Sequence, residues 1–179
     1  MLVRTQNEID AYREAIIRHA EASFSVVREQ LSSKDALSFF FELKFEKLGH
    51  DPINGEAQNL IEQINQMYSN LVVLSAVEDL LQKYPGTAFE LQLGASSGYD
   101  ILSTDGRIAA ECFSVTSVSS NRKLDSDCKK LMRSTADVRC VYFYSHLDND
   151  IRLQSAARKY PDIRFKRITA AELKTSTGS

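Results

Sequence analysis

The chain has 179 residues, 43% hydrophobic and 26% charged, close to the soluble globular average and enough for one domain with a real core. That composition argues against a disordered chain or a coiled coil; no apolar run approaches the ~20 residues of a membrane span, and the start MLVRTQNEIDAYREA is too charged for a signal peptide. The net charge of -2 hides an asymmetry: residues 1–110 carry 9 Lys and Arg against 16 Asp and Glu, and residues 111–179 carry 13 against 8. A basic back half could guide an anionic partner, although ordinary surface variation would give the same split.

In chain order, Ile9, Ile16, Ala20, Phe24, Val27 and Leu31 recur at helical spacing and predict an amphipathic helix over 5–31. Ser33 reads as the N-cap of a second helix reaching about Lys47. Its Phe39, Phe40 and Phe41 are consecutive and cannot share one face. Two helical layers are expected to bury them, or one packs on a second copy of the chain. GHDPINGE then reads as a loop. A long apolar stripe through Leu60, Ile64, Met67, Leu71, Leu74, Val77 and Leu81 predicts a largely buried helix over about 56–84, ended by Pro85-Gly86.

The period then changes. Strands are predicted over 88–93, 99–103 and 108–115, with Asp105-Gly106 as a two-residue hairpin turn between the last two. Ser119, Ser120 and Asn121 read as cap residues of a helix with Leu124, Cys128 and Leu131 on its apolar side. VRCVYFYS (138–145) reads as a buried strand, its Tyr142, Phe143 and Tyr144 as core rather than a stacking platform. A short helix over 151–160 and a strand over 163–168 follow. The pattern is an α/β sandwich around a mixed sheet with a β-α-β crossover at its end. The basic residues Arg164, Lys166 and Arg167 extend a basic surface or protect a sheet edge.

Cys112, Cys128 and Cys140 are odd in number and lack metal-type spacing. They read as buried hydrophobes of a protein in a reducing cytoplasm. His19, His50 and His146 are scattered, and none begins a zinc-helix motif.

The chemistry-bearing stretch is GYDILSTDGRIAAECFSV (98–115). Counting outward from Asp105-Gly106, Leu102 faces Ala109, Ile101 faces Ala110 and Asp100 faces Glu111. Opposed residues share a face with Cβ atoms ~4.5–5.5 Å apart, so register alone brings two carboxylates together. Such a pair is destabilising, and at least one pKa rises, unless something positive lies between. A hard divalent cation is the natural remedy, and Mg²⁺ takes one or two carboxylates plus waters and phosphate oxygens. The competing reading is structural: one carboxylate faces solvent at a strand end, or a one-residue slip puts the two on opposite faces. Gly94 and Gly98 bracket the loop into the hairpin, as turn glycines or to let backbone approach a ligand.

A helix, three strands, a helix and a strand, with Gly-x-Asp on the second strand and Glu on the third, resembles the PD-(D/E)xK nuclease superfamily over about Glu56 to Ser145. The resemblance implies a restriction-endonuclease-like α-β-β-β-α-β core with a mixed sheet flanked by helices. That core would occupy residues 51–179, with residues 1–50 as an N-terminal helical extension. It implies a Mg²⁺-dependent nuclease (Mn²⁺ as substitute) hydrolysing DNA phosphodiester bonds, of a restriction or defence type. Asp100 and Glu111 match the family's acidic positions and its metal ligands. A further glutamate often comes from the first core helix, where Glu62 and Glu78 are candidates. Glu62, Asn65, Gln66 and Ser69 form a polar stripe that is either a solvated face or a wall of the site.

The chain departs from the family at one place. The motif lysine should follow Glu111 by two residues, and Phe113 stands there. Lys123, at the start of the next helix, is the expected replacement, to orient a water or stabilise developing charge. Arg122, Lys129, Lys130 and Arg133 would contact phosphates, or form a solvated face with Asp125 and Asp127. Phe113 also keeps open a second class, a nuclease fold without chemistry that serves as an immunity or regulatory module. RNA is a third option, since the same metal site would serve it. A homodimer through the N-terminal helices would allow both DNA strands to be cut.

Overall fold

The computed structural model describes residues 1–31, 34–94, 98–118, 123–147 and 150–174. The chain begins with a two-residue strand, β1 (Leu2–Val3), and a long helix, α1 (Gln6–Gln30). The Glu8 carboxylate reaches back to the Thr5 N–H at 2.9 Å, which occupies a donor the first turn leaves open. The second helix, α2 (Ala36–Phe45), is capped by Asp35, which accepts from the Leu37 and Ser38 N–H groups. The expected cap, Ser33, lies outside the described residues.

Residues 49–56, expected as loop, begin with β2 (Gly49–His50), which forms a small hairpin with β3 (Ala57–Gln58), where the start of the long helix was expected. The long helix α3 (Leu60–Lys83) starts at Asn59, whose side chain accepts from the Glu62 N–H at 2.8 Å. The second half of α3 buries Val72, Leu74, Val77 and Leu80, and its first half buries only the polar Gln63 and Asn70. Each such aliphatic side chain contributes about 1.5–3 kcal/mol.

The main sheet has six strands: β1, then β4 (Phe89–Leu91), β5 (Ile101–Ser103), β6 (Ile108–Val115), β7 (Val138–Ser145) and β8 (Ile163–Arg167), in that spatial order. Pairing is antiparallel from β1 to β6 and parallel from β6 to β8. The two parallel steps run through α4 (Lys123–Met132) and α5 (Asp150–Lys159), and the described chain closes with α6 (Ala170–Lys174). One apolar cluster joins α1, α3 and α6 to one face of the sheet. A second joins α4 and α5 to the other. The result is an α/β sandwich on a mixed sheet, with α3, β4, β5, β6, α4 and β7 in the expected order.

Residues 1–50, read from the sequence as an extension on a 51–179 core, give the main sheet its β1 edge, with Val3 paired to Phe89. Val3, Ile9 and Ile16 are buried in the same cluster as α3. Burial of all three α2 phenylalanines does not hold: Phe39 is half-buried, while Phe40 and Phe41 are 64% and 56% exposed. A ten-residue helix packed mainly on α3 covers only one side. Among the described residues, no helix is long and apolar enough to cross a membrane.

Candidate active site

The β5–β6 hairpin keeps the expected register by a different turn. Ile101 pairs with Ala110 and Leu102 with Ala109. A two-residue turn of Asp105-Gly106 would need positive φ at Asp105, and no non-glycine residue has one among the described residues. The loop is instead the four residues 104–107, closed by the Gly106 N–H on Ser103 O at 2.8 Å, with Gly106 at φ 72°. Ser103 Oγ accepts from the Ile108 N–H at 2.9 Å and secures the strand start. Two and four loop residues have the same parity, so the side-chain faces are unchanged.

Continuing that register by one step sets Asp100 against Glu111. Asp100 lies just before β5, and its Oδ2 accepts from the Cys112 N–H at 2.7 Å, where the ladder would otherwise lack an acceptor. Glu111 shares a sheet face with Ala109 and Phe113, toward α4, and is 1% exposed. Phe113 occupies the expected lysine position as a core residue, stacked on Phe143 with ring centroids 5.6 Å apart.

The lysine that reaches Glu111 is Lys130, not Lys123. Its Nζ lies 2.6 Å from Glu111 Oε1, an ion contact by distance whose angles are not those of a hydrogen bond. The same ammonium donates to Gly98 O and sits 5.5 Å from the Tyr99 ring centroid. Gly98 has φ 129°, a conformation that favours glycine. Lys123 pairs with Asp127 at 2.9 Å. Lys123, Asp127 and Lys130 stand at i, i+4 and i+7, one stripe of α4, beside the buried stripe Leu124, Cys128 and Leu131. Packing of the apolar stripe therefore aims the charged one at the hairpin.

These charges are coupled. Burial pushes the Glu111 carboxyl up to about 7; the Asp100 charge adds to this and Lys130 opposes it. Burial also raises Asp100, against the Cys112 N–H and the charges of Lys123 and Lys130. Asp127 is raised by burial, with Lys123 opposing. Burial works against the charge of Lys123, yet its bond to Asp127 leaves the ammonium's pKa raised. Asp127 was not among the expected site residues. It is 3% exposed, and its Oδ2 has no hydrogen-bond partner among the described residues.

A cleft of about 270 Å³ opens beside Asp100, walled by Asn65, Gln66, Ser69 and Asn70 of α3 and by Gln92 and Cys112. Three of the four residues in the polar α3 stripe thus form a wall. Glu62, the fourth, is an exposed first-turn residue outside that lining. Glu78 points elsewhere, paired with the buried Arg13 at 2.8 Å. The α3 contribution to the cleft is amide and hydroxyl rather than carboxylate.

Of the expected phosphate contacts, Lys129 is tied to Asp125 at 2.7 Å, Arg133 is exposed and Arg122 lies outside the described residues. Arg164 bonds the Tyr84 hydroxyl, and Lys166 bonds Asp79 at 2.9 Å.

Among the described residues, no group of three or more His, Cys, Asp or Glu is arranged to hold a metal ion. The donor set fits a smaller demand. Asp100, just before β5, and Glu111, on β6, would offer two carboxylates, the number Mg²⁺ takes when water and phosphate complete its shell. No family model, curated protein or solved structure matches this chain.

Proposed function

We propose that the chain is a Mg²⁺-dependent nuclease of the PD-(D/E)xK type acting on DNA, with Lys130 in the role of the displaced motif lysine. One observation carries the reading: a hairpin register that, continued one step beyond Ile101–Ala110, opposes Asp100 and Glu111, with a cleft at Asp100 and the Lys130 ammonium at Glu111. The element order α3, β4, β5, β6, α4, β7 agrees with a restriction-endonuclease-like core. The three free buried cysteines are consistent with a reducing, cytoplasmic setting.

Asp100 and Glu111 would hold the cation, which when bound acidifies a water and offsets charge on the phosphate. The chain's own groups do the rest. Lys130, 41% exposed, can turn from Glu111 to a phosphate oxygen without leaving the site. There its ammonium would stabilise charge that grows in the transition state. Lys123 keeps the ensemble from excess negative charge through Asp127. Asn65 and Ser69 offer neutral hydrogen bonds to the strand beside the scissile bond.

A test is incubation of supercoiled plasmid and, separately, of circular single-stranded DNA with the protein and Mg²⁺. Cleavage of at least one is expected from the wild type and of neither from Asp100→Ala. Cleavage that survives the substitution would place the activity elsewhere. One observation favours a second reading, an inactive nuclease-fold module: two lysines already offset the carboxylates, Lys130 at Glu111 and Lys123 at Asp127. A wild type that binds DNA and never cuts it would select that reading. A second copy of the chain is the proposed partner, through the exposed Leu37, Phe40, Phe41 and Phe45 of α2.

A further inference from the structure

A larger groove of about 780 Å³ opens next to the Asp100 cleft, between α3, the carboxyl ends of β6 and β7, and α6. Crevices beyond the carboxyl ends of parallel strands are common ligand sites in α/β proteins. The groove opens at the first half of α3, which buries only Gln63 and Asn70, whereas the second half packs on the sheet. Asn65 and Ser69 line both cavities, so the two adjoin along α3.

The chemistry of the two differs sharply. The smaller cleft carries the Asp100 carboxylate, and Lys130 and Lys123 sit at Glu111 and Asp127. Among the described residues, no Lys, Arg, Asp or Glu lines the larger groove. It presents Tyr68, Tyr144 and His146 as ring surfaces, with Ser114 and Thr116 at the strand ends as neutral hydrogen-bonding groups. Tyr68 is 44% exposed, and Tyr144 is only half-buried, unlike its neighbours Tyr142 and Phe143 in the same strand. A neutral groove with aromatic faces has little to hold a phosphate and much to hold a flat heterocycle. Paired bases bury those faces in the duplex stack, so only unpaired bases can stack on a tyrosine.

We infer that this groove takes the unpaired bases of the strand whose phosphate lies at Asp100 and Glu111, which makes the substrate single-stranded rather than duplex DNA. The inference rests on the nuclease reading above and goes beyond it in naming the substrate class. Phosphates meet the α4 lysines at one end, and the bases that follow stack against Tyr68 and His146.

The test is fluorescence anisotropy in EDTA, with a labelled single-stranded oligonucleotide of mixed sequence and with its duplex. The single strand is expected to bind roughly tenfold tighter or more. Tyr68→Ala should cost roughly tenfold of that affinity and leave duplex binding unchanged. His146→Ala, at a second exposed position, gives an independent reading. Equal binding of duplex and single strand overturns the inference, as does single-strand affinity that neither substitution changes. A parallel incubation with Mg²⁺ separates the two claims. Single strands bound through Tyr68 but never cut support the groove and overturn the nuclease reading. Single strands cut with no role for Tyr68 in their binding leave the nuclease reading standing and remove this one.

Discussion

Glu111 carries the clearest cost of the site. Its carboxyl titrates at about 7 when folded, against an ordinary value of 4.5. Between those values the folded chain holds more protons than the unfolded one, so stability falls as pH climbs through that window. Asp100 and Asp127 are shifted the same way and add to the slope. Glu111→Gln keeps the shape and removes the charge. Lys130 is not stranded by the change, since it keeps Gly98 O and partial access to water. We predict that Glu111→Gln is more stable than wild type by about 1–3 kcal/mol near pH 8 and nearly equal near pH 5, read by urea unfolding. A variant less stable near pH 8 would mean that Glu111 is held as a favourable ion pair. Lys130 and Lys123 give a second contrast. Lys130→Met should slow DNA cleavage by about 10²–10³-fold and move the pH–rate profile upward, because Glu111 loses its positive neighbour. Lys123→Met should do less, since that ammonium is committed to Asp127. Equal losses in both variants would remove the special role of Lys130.

At the scale of elements, α1 and α3 are joined by a buried polar contact. Arg13 is 4% exposed and bonds Glu78 at 2.8 Å and Ser75 at 3.4 Å. Arg13→Ala is expected to cost about 2 kcal/mol of stability, because it removes a buried side chain and leaves the part-buried Glu78 unpaired, with cleavage per folded molecule unchanged. Calorimetric unfolding together with an activity titration checks both halves. Legibility in the sequence followed how self-sufficient each element is. The eight-residue apolar runs of β6 and β7 and the stripe of α3 could be read within a residue or a few. The two-residue strands β1, β2 and β3 and the five-residue α6 could not, because they exist only through partners distant in sequence. The Asp-Gly turn gave the right register and the wrong turn, since register depends on loop parity and turn type on φ at Asp105. Lys130 was harder to see than Lys123. Seven residues are two helical turns, so the two share a face, and only the crossing of α4 over β6 decides which one meets Glu111. Asp127 hid for the same reason, as one more charge in a stretch that reads as solvated.

At the scale of the molecule, the two faces of the sheet divide the work. The α4 side provides charge at Glu111, and the α3 side provides the polar wall and the grooves. The exposed apolar side chains of α2 lie outside both. Sedimentation across a concentration series is expected to show a monomer–dimer equilibrium, with Phe40→Glu shifting it to monomer. A clean monomer at high concentration would remove the second copy from the account. The central claim is that Asp100 and Glu111 together bind a divalent cation. Crystals soaked in Mn²⁺ and measured for anomalous scattering test it most directly. One strong peak in contact with both carboxylates is expected, with the Lys130 ammonium moved off Glu111. No peak there, with Lys130 still on Glu111, would contradict it.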